Sequence, residues 1–248
     1  MSKNREARHN DTRSALSCPA RPPIYPQNRL SQNNKKYPNM LTDLTVKEFL
    51  NKVAGSDPVP GGGSIAALNG AVASALAAMV ANLTIGKKKY EEVQNDMQAI
   101  APKAEGEKDI FTTDIDRDSE AYDRVFSCFK MPKDTDEQKA ARSAAIQEAT
   151  KYAAQVPMEV ARRAYALMPL IAEVALKGNQ NAVTDACVAM MSARNAVLGA
   201  LLNVRINLGS LKDKDFANSM QAEADELERQ ACAREQELLQ QINKDLRV

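Results

Sequence analysis

Apolar residues recur along most of this chain at the three- and four-residue spacing of α-helices. Val46, Phe49, Leu50 and Val53 share one helical face, and Thr45 before them is a suitable N-terminal cap. The same periodicity predicts later helices over residues 88–129, 136–167, 169–177, 182–208 and 215–246. The alternation of apolar and polar residues that is typical of β-strands is absent from the sequence. The pattern therefore predicts an all-α fold, a single helical-bundle domain.

The most apolar segment covers residues 64–85 and is rich in alanine. It carries polar side chains at Asn69, Ser74 and Asn82, so a buried core helix is a better interpretation than a membrane span. Gly86 is expected to end this helix. The Pro- and Gly-rich residues 58–63, just before it, are expected to form a loop.

Residues 1–40 differ from the rest of the chain. They are rich in Asn, Arg, Ser and Pro, show no helical period, and carry eight Lys or Arg against two Asp or Glu. We expect a disordered basic tail over residues 1–40 and one helical domain over residues 41–248. That domain holds 25 basic and 30 acidic side chains, so its mild negative charge argues against nucleic-acid binding.

Neither the start of the chain nor its cysteines indicates secretion. The start lacks the apolar segment of a signal peptide, and the four cysteines form no CxxC motif, so we expect a cytoplasmic protein with reduced thiols. The only histidine, His9, lies in the predicted tail. This excludes Ser-His-Asp and HExxH chemistry from the helical domain, and leaves proton transfer to Asp, Glu, Lys, Tyr, Cys or substrate groups.

Two junctions between helices are candidates for ligand binding. Gly62, Gly63 and Ser64 stand where a helix begins, so the backbone can approach a ligand and free N–H groups can meet a polar or anionic group. The alternative is a tight turn with a serine cap. Lys87 and Lys88 follow the predicted end of that helix and are suited to an anionic ligand, or else form a solvated charge run.

Two pairs of polar side chains stand one helical turn apart. Asp118 and Tyr122 share a helix face, where a carboxylate beside a phenol is able to move a proton or stabilise a cation. Asn181 and Asp185 form a similar pair. Arg205 stands separately and is suited to a carboxylate partner. On an exposed helix these groups would only be surface charge.

An amide stripe runs along the predicted helix 182–208. Asn203 and Asn207 continue the four-residue spacing that begins at Asn195 and Gly199, while the other faces of the helix are apolar. Buried amides need hydrogen-bond partners, so the stripe indicates either a ligand or contacts between helices. The spacing does not decide between the two.

A series of short motifs, in this order along the chain, resembles those of one family. They are Thr45-Val46-x-x-Phe49-Leu50, Pro58-x-Pro60-Gly61-Gly62-Gly63-Ser64, Met79-Val80-Ala81-Asn82-Leu83-Thr84-Ile85-Gly86-Lys87-Lys88-x-Tyr90, Asp118-x-x-Ala121-Tyr122, Lys130-Met131-Pro132, Val156-Pro157, Gly178-Asn179-x-Asn181-x-x-x-Asp185 and Asn203-Val204-Arg205-Ile206-Asn207-Leu208. The chain from about residue 41 to 245 is thereby similar to the cyclodeaminase domain of formiminotransferase-cyclodeaminase and to related cyclohydrolases, as a stand-alone form.

The resemblance implies a tetrahydrofolate enzyme that acts at the carbon bridging N5 and N10. The first expectation is a cyclodeaminase, which closes 5-formimino-tetrahydrofolate to 5,10-methenyl-tetrahydrofolate with loss of ammonia. The alternative is a cyclohydrolase, which interconverts 5,10-methenyl- and 10-formyl-tetrahydrofolate with water. The resemblance also implies a homodimer or higher homo-oligomer and a substrate that is polyglutamylated in some forms. It implies no metal and no cofactor beyond the tetrahydrofolate itself. The charge balance and the core-helix interpretation of residues 64–85 lead us to expect no nucleic-acid and no membrane partner.

The resemblance also suggests roles for the candidate residues. Asp118 or Asp185 is the expected catalytic carboxylate beside the cationic carbon. The expected substrate-binding residues are Gly62, Gly63, Ser64, Lys87, Lys88, Tyr122, Asn181, Asn203, Arg205 and Asn207. Among them, the two asparagines of helix 182–208 are expected to hold the pterin, and the two lysines with Arg205 to meet the glutamate. A different class of function, a non-catalytic helical scaffold with residues 215–246 as its interaction surface, stays open.

Overall fold

The structure, a computed structural model, describes residues 40–246, with side chains described as far as residue 244. Six α-helices account for most of this part: α1 Val46–Val53, α2 Gly62–Thr84, α3 Gln94–Phe129, α4 Asp136–Lys177, α5 Val183–Leu208 and α6 Lys214–Leu246. Short 3-10 turns occur at Leu41–Asp43, Lys88–Val93 and Gln180–Ala182, and the described residues contain no strand. The predicted all-α bundle is confirmed. The predicted tail lies outside the described residues, apart from Met40.

The caps that the sequence indicates are present. The Thr45 side chain accepts a hydrogen bond from the backbone N–H of Glu48, and the Glu48 carboxylate accepts one in return from the Thr45 backbone, so a capping box starts α1. Gly86 adopts a φ of +74° just after α2, which explains why the helix ends there. In α1, however, only Phe49 is buried, so the predicted apolar face is half exposed.

Three predicted boundaries are wrong. Helix α3 begins at Gln94, because residues 88–93, which the sequence predicts as part of it, form a 3-10 turn. Helix α2 begins at Gly62, so two of the three glycines lie inside the helix and Ser64 does not cap it. Helix α4 runs unbroken from Asp136 to Lys177, where the sequence predicts a break at Pro169. A proline removes one helical hydrogen bond. Beside Pro169, Met168 and Ile171 are fully buried, and their packing keeps the helix continuous despite the missing hydrogen bond.

The core is built around α2 and α5, which lie antiparallel and close together. Gly62 at the start of α2 faces Asn203 near the end of α5, and a Cβ at Gly199 would stand 3.3 Å from the Cβ of Ala66. Most buried core positions of the two helices are small or aliphatic, largely alanine. Small side chains allow this close approach, and the absent Cβ of Gly199 contributes to it.

Two segments, Gly62–Thr84 and Gln180–Leu208, are long and apolar enough to cross a membrane by length and composition. In the bundle, 61% of the apolar window of the first and 50% of that of the second are buried. Residues 64–85 therefore form a core helix, as predicted. The charged helix α6 covers α4 and α5 with a stripe of small and aliphatic side chains that includes Met220, Ala224 and Leu238, and its charged faces point outward.

Candidate active site

One cavity lies where the start of α2, the middle of α3 and the end of α5 meet. Its volume is about 340 Å³. It is lined by the loop and helix residues Pro58, Val59, Gly61, Gly62, Gly63, Asp118, Ala121, Tyr122, Val125, Ala153, Asn203, Ile206 and Asn207. Six of the twelve predicted site residues are in this lining. They come from segments that are far apart in sequence, and the antiparallel packing of α2 and α5 brings them together.

Among the described residues that line the cavity, only Asp118 carries a carboxyl group. Behind it, the Ser64 hydroxyl oxygen lies 3.1 Å from the Asp118 carboxylate, 2.8 Å from the Ile115 carbonyl and 3.2 Å from the Ser119 hydroxyl. Ser64 is fully buried. Its backbone N–H also donates to Asp118, so this carboxylate caps the start of α2, where Gly61 provides no side-chain cap.

Gly63 is a glycine because Asp118 occupies the space beside it. A Cβ at position 63 would overlap the Asp118 carboxylate. A Cβ at Gly62 would stand 3.3 Å from the Asn203 amide nitrogen, which is a tight contact. The two glycines therefore allow side chains of α3 and α5 to lie directly against the first turn of α2.

Burial raises the pKa of the Asp118 carboxyl above the ordinary value for aspartate. Hydrogen bonds from Ser64 oppose this effect, and the negative charge of Asp114, one turn earlier, adds to it. A carboxyl with a raised pKa binds and releases a proton closer to neutral pH than an exposed aspartate does. This environment suits a group that carries a proton during a reaction.

Asn203 and Asn207 line the cavity, but their amide N–H groups already have partners. The Asn203 side chain donates to the Gly199 carbonyl at 2.8 Å. The Asn207 side chain donates to the carbonyls of Asn203 at 2.8 Å and Ala153 at 3.0 Å. Their side-chain oxygens accept no hydrogen bond from the described residues. The pair therefore offers the cavity mainly hydrogen-bond acceptors, and both interpretations of the amide stripe apply in part.

The chain matches the family model described as Formiminotransferase-cyclodeaminase over residues 45–226. It belongs to this family. The predicted membership in the cyclodeaminase and cyclohydrolase family is thereby confirmed. The matched region begins at the cap of α1 and ends within α6, so it includes every element that builds the cavity.

Three relatives show how far the similarity extends. A methenyltetrahydrofolate cyclohydrolase of Methylorubrum extorquens is 44% identical over 194 residues, which cover 78% of this chain and 93% of that protein. The formimidoyltransferase-cyclodeaminase of Rattus norvegicus is 32% identical over 176 residues, 71% of this chain but only 32% of the rat protein. The crystal structure of a formiminotetrahydrofolate cyclodeaminase from Thermotoga maritima matches with a TM-score of 0.73 and 32% identity, over 82% of this chain and 98% of that one.

Four predicted site residues of this family member lie far from the cavity. Lys87 and Lys88 follow the C-terminal end of α2. Asn181 lies in the 3-10 turn just before α5, and Asp185 lies in the first turn of α5. The 23 residues of α2 separate the two ends by about 35 Å at 1.5 Å per residue. Within one subunit these residues do not reach a ligand in the cavity, so a catalytic role for Asp185 there is not supported.

Two other residues predicted to bind the substrate, Arg205 and Ser64, instead contact other side chains of the protein. The Arg205 guanidinium forms ion pairs with Asp225 and Glu228 of α6, so it fastens α6 to α5 and is not directed at a ligand. Ser64 lies behind Asp118 and does not line the cavity. It was predicted to bind substrate, whereas the structure gives it the role of holding the carboxylate.

The sequence places Asp114 on the same helix face as Asp118, but it does not indicate that Arg117 and Glu159 form a charged cluster with Asp114. Asp114 is 3% exposed, and Arg117 lies between its carboxylate at 3.3 Å and that of Glu159 at 2.7 Å. Sequence reasoning also missed the apolar lining residues Ala121 and Val125. Both lie on the Asp118 face of α3, at three and seven residues along, so helical spacing from Asp118 identifies them. Among the described residues, no group of three or more His, Cys, Asp or Glu side chains is placed to hold a metal ion.

Proposed function

We propose that this protein is a methenyltetrahydrofolate cyclohydrolase that converts 5,10-methenyl-tetrahydrofolate and water to 10-formyl-tetrahydrofolate. The observation that carries the proposal is the half-buried Asp118 carboxyl, held by Ser64 at the wall of a cavity lined by apolar groups and amide oxygens. The M. extorquens relative adds support, since its name states this activity and the two chains match over 93% of its length.

The cavity suits the pterin end of such a substrate. The pterin ring presents N–H donors along one edge, which the free side-chain oxygens of Asn203 and Asn207 are able to accept. Ala121, Val125 and Ile206 supply apolar surface for the ring faces. In this position the bridging carbon faces Asp118, whose carboxylate stabilises the positive charge of the methenyl group.

The reaction then needs one group that accepts and returns a proton. Water adds through its oxygen to the methenyl carbon, and Asp118 takes the released proton. The C–N5 bond of the adduct breaks as its hydroxyl becomes the formyl C=O, and N5 takes up a proton from Asp118 while the hydroxyl proton leaves. The net change is one water consumed and one proton released. A carboxyl with a raised pKa serves both directions of this transfer near neutral pH.

A second candidate, cyclodeamination of 5-formimino-tetrahydrofolate, is favoured by one specific observation. The T. maritima structure, described as a formiminotetrahydrofolate cyclodeaminase, is matched over 98% of its length. The same carboxyl suits that reaction. N10 attacks the formimino carbon, and the proton that N10 loses passes to the formimino nitrogen. Protonated Asp118 supplies a second proton to this nitrogen, and the C–N bond then breaks to release ammonia. The sequence motifs alone favour the cyclodeaminase activity, whereas the higher sequence identity to the M. extorquens protein favours the cyclohydrolase activity.

The two candidates are distinguished by following methenyl-tetrahydrofolate absorbance with the purified protein. Accelerated loss of the methenyl form, with 10-formyl product, supports the cyclohydrolase. Appearance of the methenyl form from 5-formimino-tetrahydrofolate, with ammonia release, supports the cyclodeaminase. If neither rate exceeds the uncatalysed rate, the enzymatic proposal is wrong and the scaffold interpretation gains.

We also propose that the protein works as a cytoplasmic homodimer. Exposed apolar side chains follow the outer faces of α2 and α5, among them Met79, Leu83, Val188, Met191 and Leu202. Several exposed apolar side chains on two neighbouring helices are typical of an interface between proteins. Light scattering at micromolar concentration is expected to give twice the monomer mass, and M191E is expected to give monomers. A wild-type monomer under these conditions would contradict the proposal.

A further inference from the structure

The cavity has room for the reacting end of a folate, but the residues expected to meet its glutamate lie elsewhere. Lys87 and Lys88 are at the far end of α2, and Arg205 is paired with α6. A tetrahydrofolate continues from N10 into an aminobenzoyl ring and then a glutamate. Some other surface beside the cavity must therefore meet these two groups, if the protein acts on folates as proposed.

Helix α3 continues outward from the cavity with a row of exposed aromatic rings. Tyr122 lines the cavity, and Phe126 and Phe129 follow one and two turns later on the same helix face. The three side chains are 40%, 48% and 51% exposed. Three large exposed rings on one face are unusual on a helix whose other exposed residues are mostly charged or polar.

The row ends in a positive charge. The Tyr122 and Phe126 rings stack with centroids 6.2 Å apart and planes 12° from parallel. The Lys130 ammonium stands 4.4 Å from the centroid of Phe126. No carboxylate of the described residues forms an ion pair with Lys130. From Tyr122 to Lys130 the helix rises about 12 Å.

We infer that Phe126 and Lys130 form the subsite for the aminobenzoyl-glutamate part of the substrate. The inference rests on the proposed function. With the bridging carbon at Asp118, the aminobenzoyl ring leaves the cavity past Tyr122 and lies against Phe126, with the geometry that aromatic pairs prefer. The glutamate that follows the ring meets the Lys130 ammonium, a charge-assisted contact at the helix end.

The charges around the row agree with a small anionic ligand. Arg142 of α4 stands over the Phe129 ring while it donates to the Phe129 carbonyl. Asp134 is the acidic residue nearest to Lys130 in sequence, and Asp123 lies three residues before Phe126. The rings at the end of the row are therefore contacted by two cations. This arrangement attracts a carboxylate and disfavours a purely apolar partner surface.

The inference is tested by comparing 5,10-methenyl-tetrahydrofolate with the corresponding methenyl-tetrahydropteroate, which lacks the glutamate. K130M is expected to raise KM for the first substrate about tenfold, with little change in kcat, and to leave KM for the second unchanged. F126L is expected to raise KM for both substrates, because both carry the ring. K133M is the matched control, since it removes a neighbouring lysine that has no contact with a ring.

The possible outcomes separate the two proposals. If wild type turns over the substrate but K130M and K133M change KM equally, the subsite is wrong and the proposed function stands. The same conclusion follows if K130M raises KM for both substrates alike. Absence of wild-type turnover on both substrates overturns the function and the subsite together. The tenfold effect of K130M on the glutamate-bearing substrate is also expected to shrink as salt rises, because the contact is exposed.

Discussion

Replacing Gly63 by alanine is expected to remove activity while the fold persists. The new Cβ would overlap the Asp118 carboxylate, so this group must move by about 1 Å or more to restore van der Waals contact. A displacement of about 1 Å at a reacting group costs about 100-fold in rate. We therefore expect kcat/KM of G63A to fall by about two orders of magnitude.

The matched control is Gly106 of α3. It is also a helical glycine, but apart from the adjacent backbone of its own helix no described atom lies within 4 Å of the position its Cβ would take. G106A is expected to keep full activity and to gain about 1 kcal/mol of stability from helix propensity. In thermal denaturation this gain amounts to an increase in Tm of about 2 to 4 °C.

The assay is the loss of methenyl absorbance, measured for both variants after circular dichroism has shown that they are helical. Activity of G63A within twofold of wild type would mean that the Asp118 position is not critical. A loss of activity in G106A as large as in G63A would mean that any alanine in these helices is harmful. Either result refutes the reasoning.

Three further predictions concern the groups around the cavity. S64A is expected to leave the Asp118 carboxylate with one hydrogen bond fewer, so the pKa of Asp118 rises further. The part of the pH profile in which kcat/KM rises with pH then shifts to higher pH, and an unchanged profile would contradict this role of Ser64. R117M is expected to lower the free energy of unfolding, measured by urea denaturation, by about 3 kcal/mol, because Asp114 is left buried without its cation. A loss below about 1 kcal/mol would show that water already reaches Asp114. R205M is expected to cost about 1 kcal/mol and to leave KM unchanged, because its ion pairs with α6 are partly exposed; a tenfold rise in KM would instead assign Arg205 to the substrate.

The helices of this protein are largely readable from its sequence because their signals are local. Thr45 and Thr135 both cap helices with side-chain partners three residues on, and Gly86 ends α2 through its positive φ. Pro169 shows the limit of such signals. It is a local helix breaker, but the burial of the residues beside it in the bundle outweighs the lost hydrogen bond.

The site was predictable in residue types but not in arrangement. Asp118 and Asn203 are recognisable as polar groups on helix faces, yet only the antiparallel packing of α2 and α5 shows that they meet. In the same packing, Lys87 lies at the end of the bundle opposite to Asp118. The partners of Arg205 are on α6, at least 20 residues away in sequence, so no local pattern indicates that its charge is already neutralised.

The pH dependence of stability follows from the same carboxyl group. The pKa of Asp118 is higher in the folded protein than in the unfolded chain, so the fold favours the protonated form. Its contribution to stability is complete below the unfolded pKa and is lost as the pH rises through the folded pKa. D118N keeps the shape and removes the charge. At pH 7 it should therefore be at least as stable as wild type, and this difference should shrink toward pH 4.

The most direct test of the central claim is kcat/KM of D118N on methenyl-tetrahydrofolate, compared with D123N. Asp123 lies on the same helix but is exposed, so D123N controls for loss of one negative charge on α3. We expect D118N to lose between about 100-fold and 10,000-fold in kcat/KM, the range for removal of a general acid–base, while it melts no lower than wild type. D123N is expected to match wild type. A folded D118N protein with turnover equal to that of D123N would contradict the account.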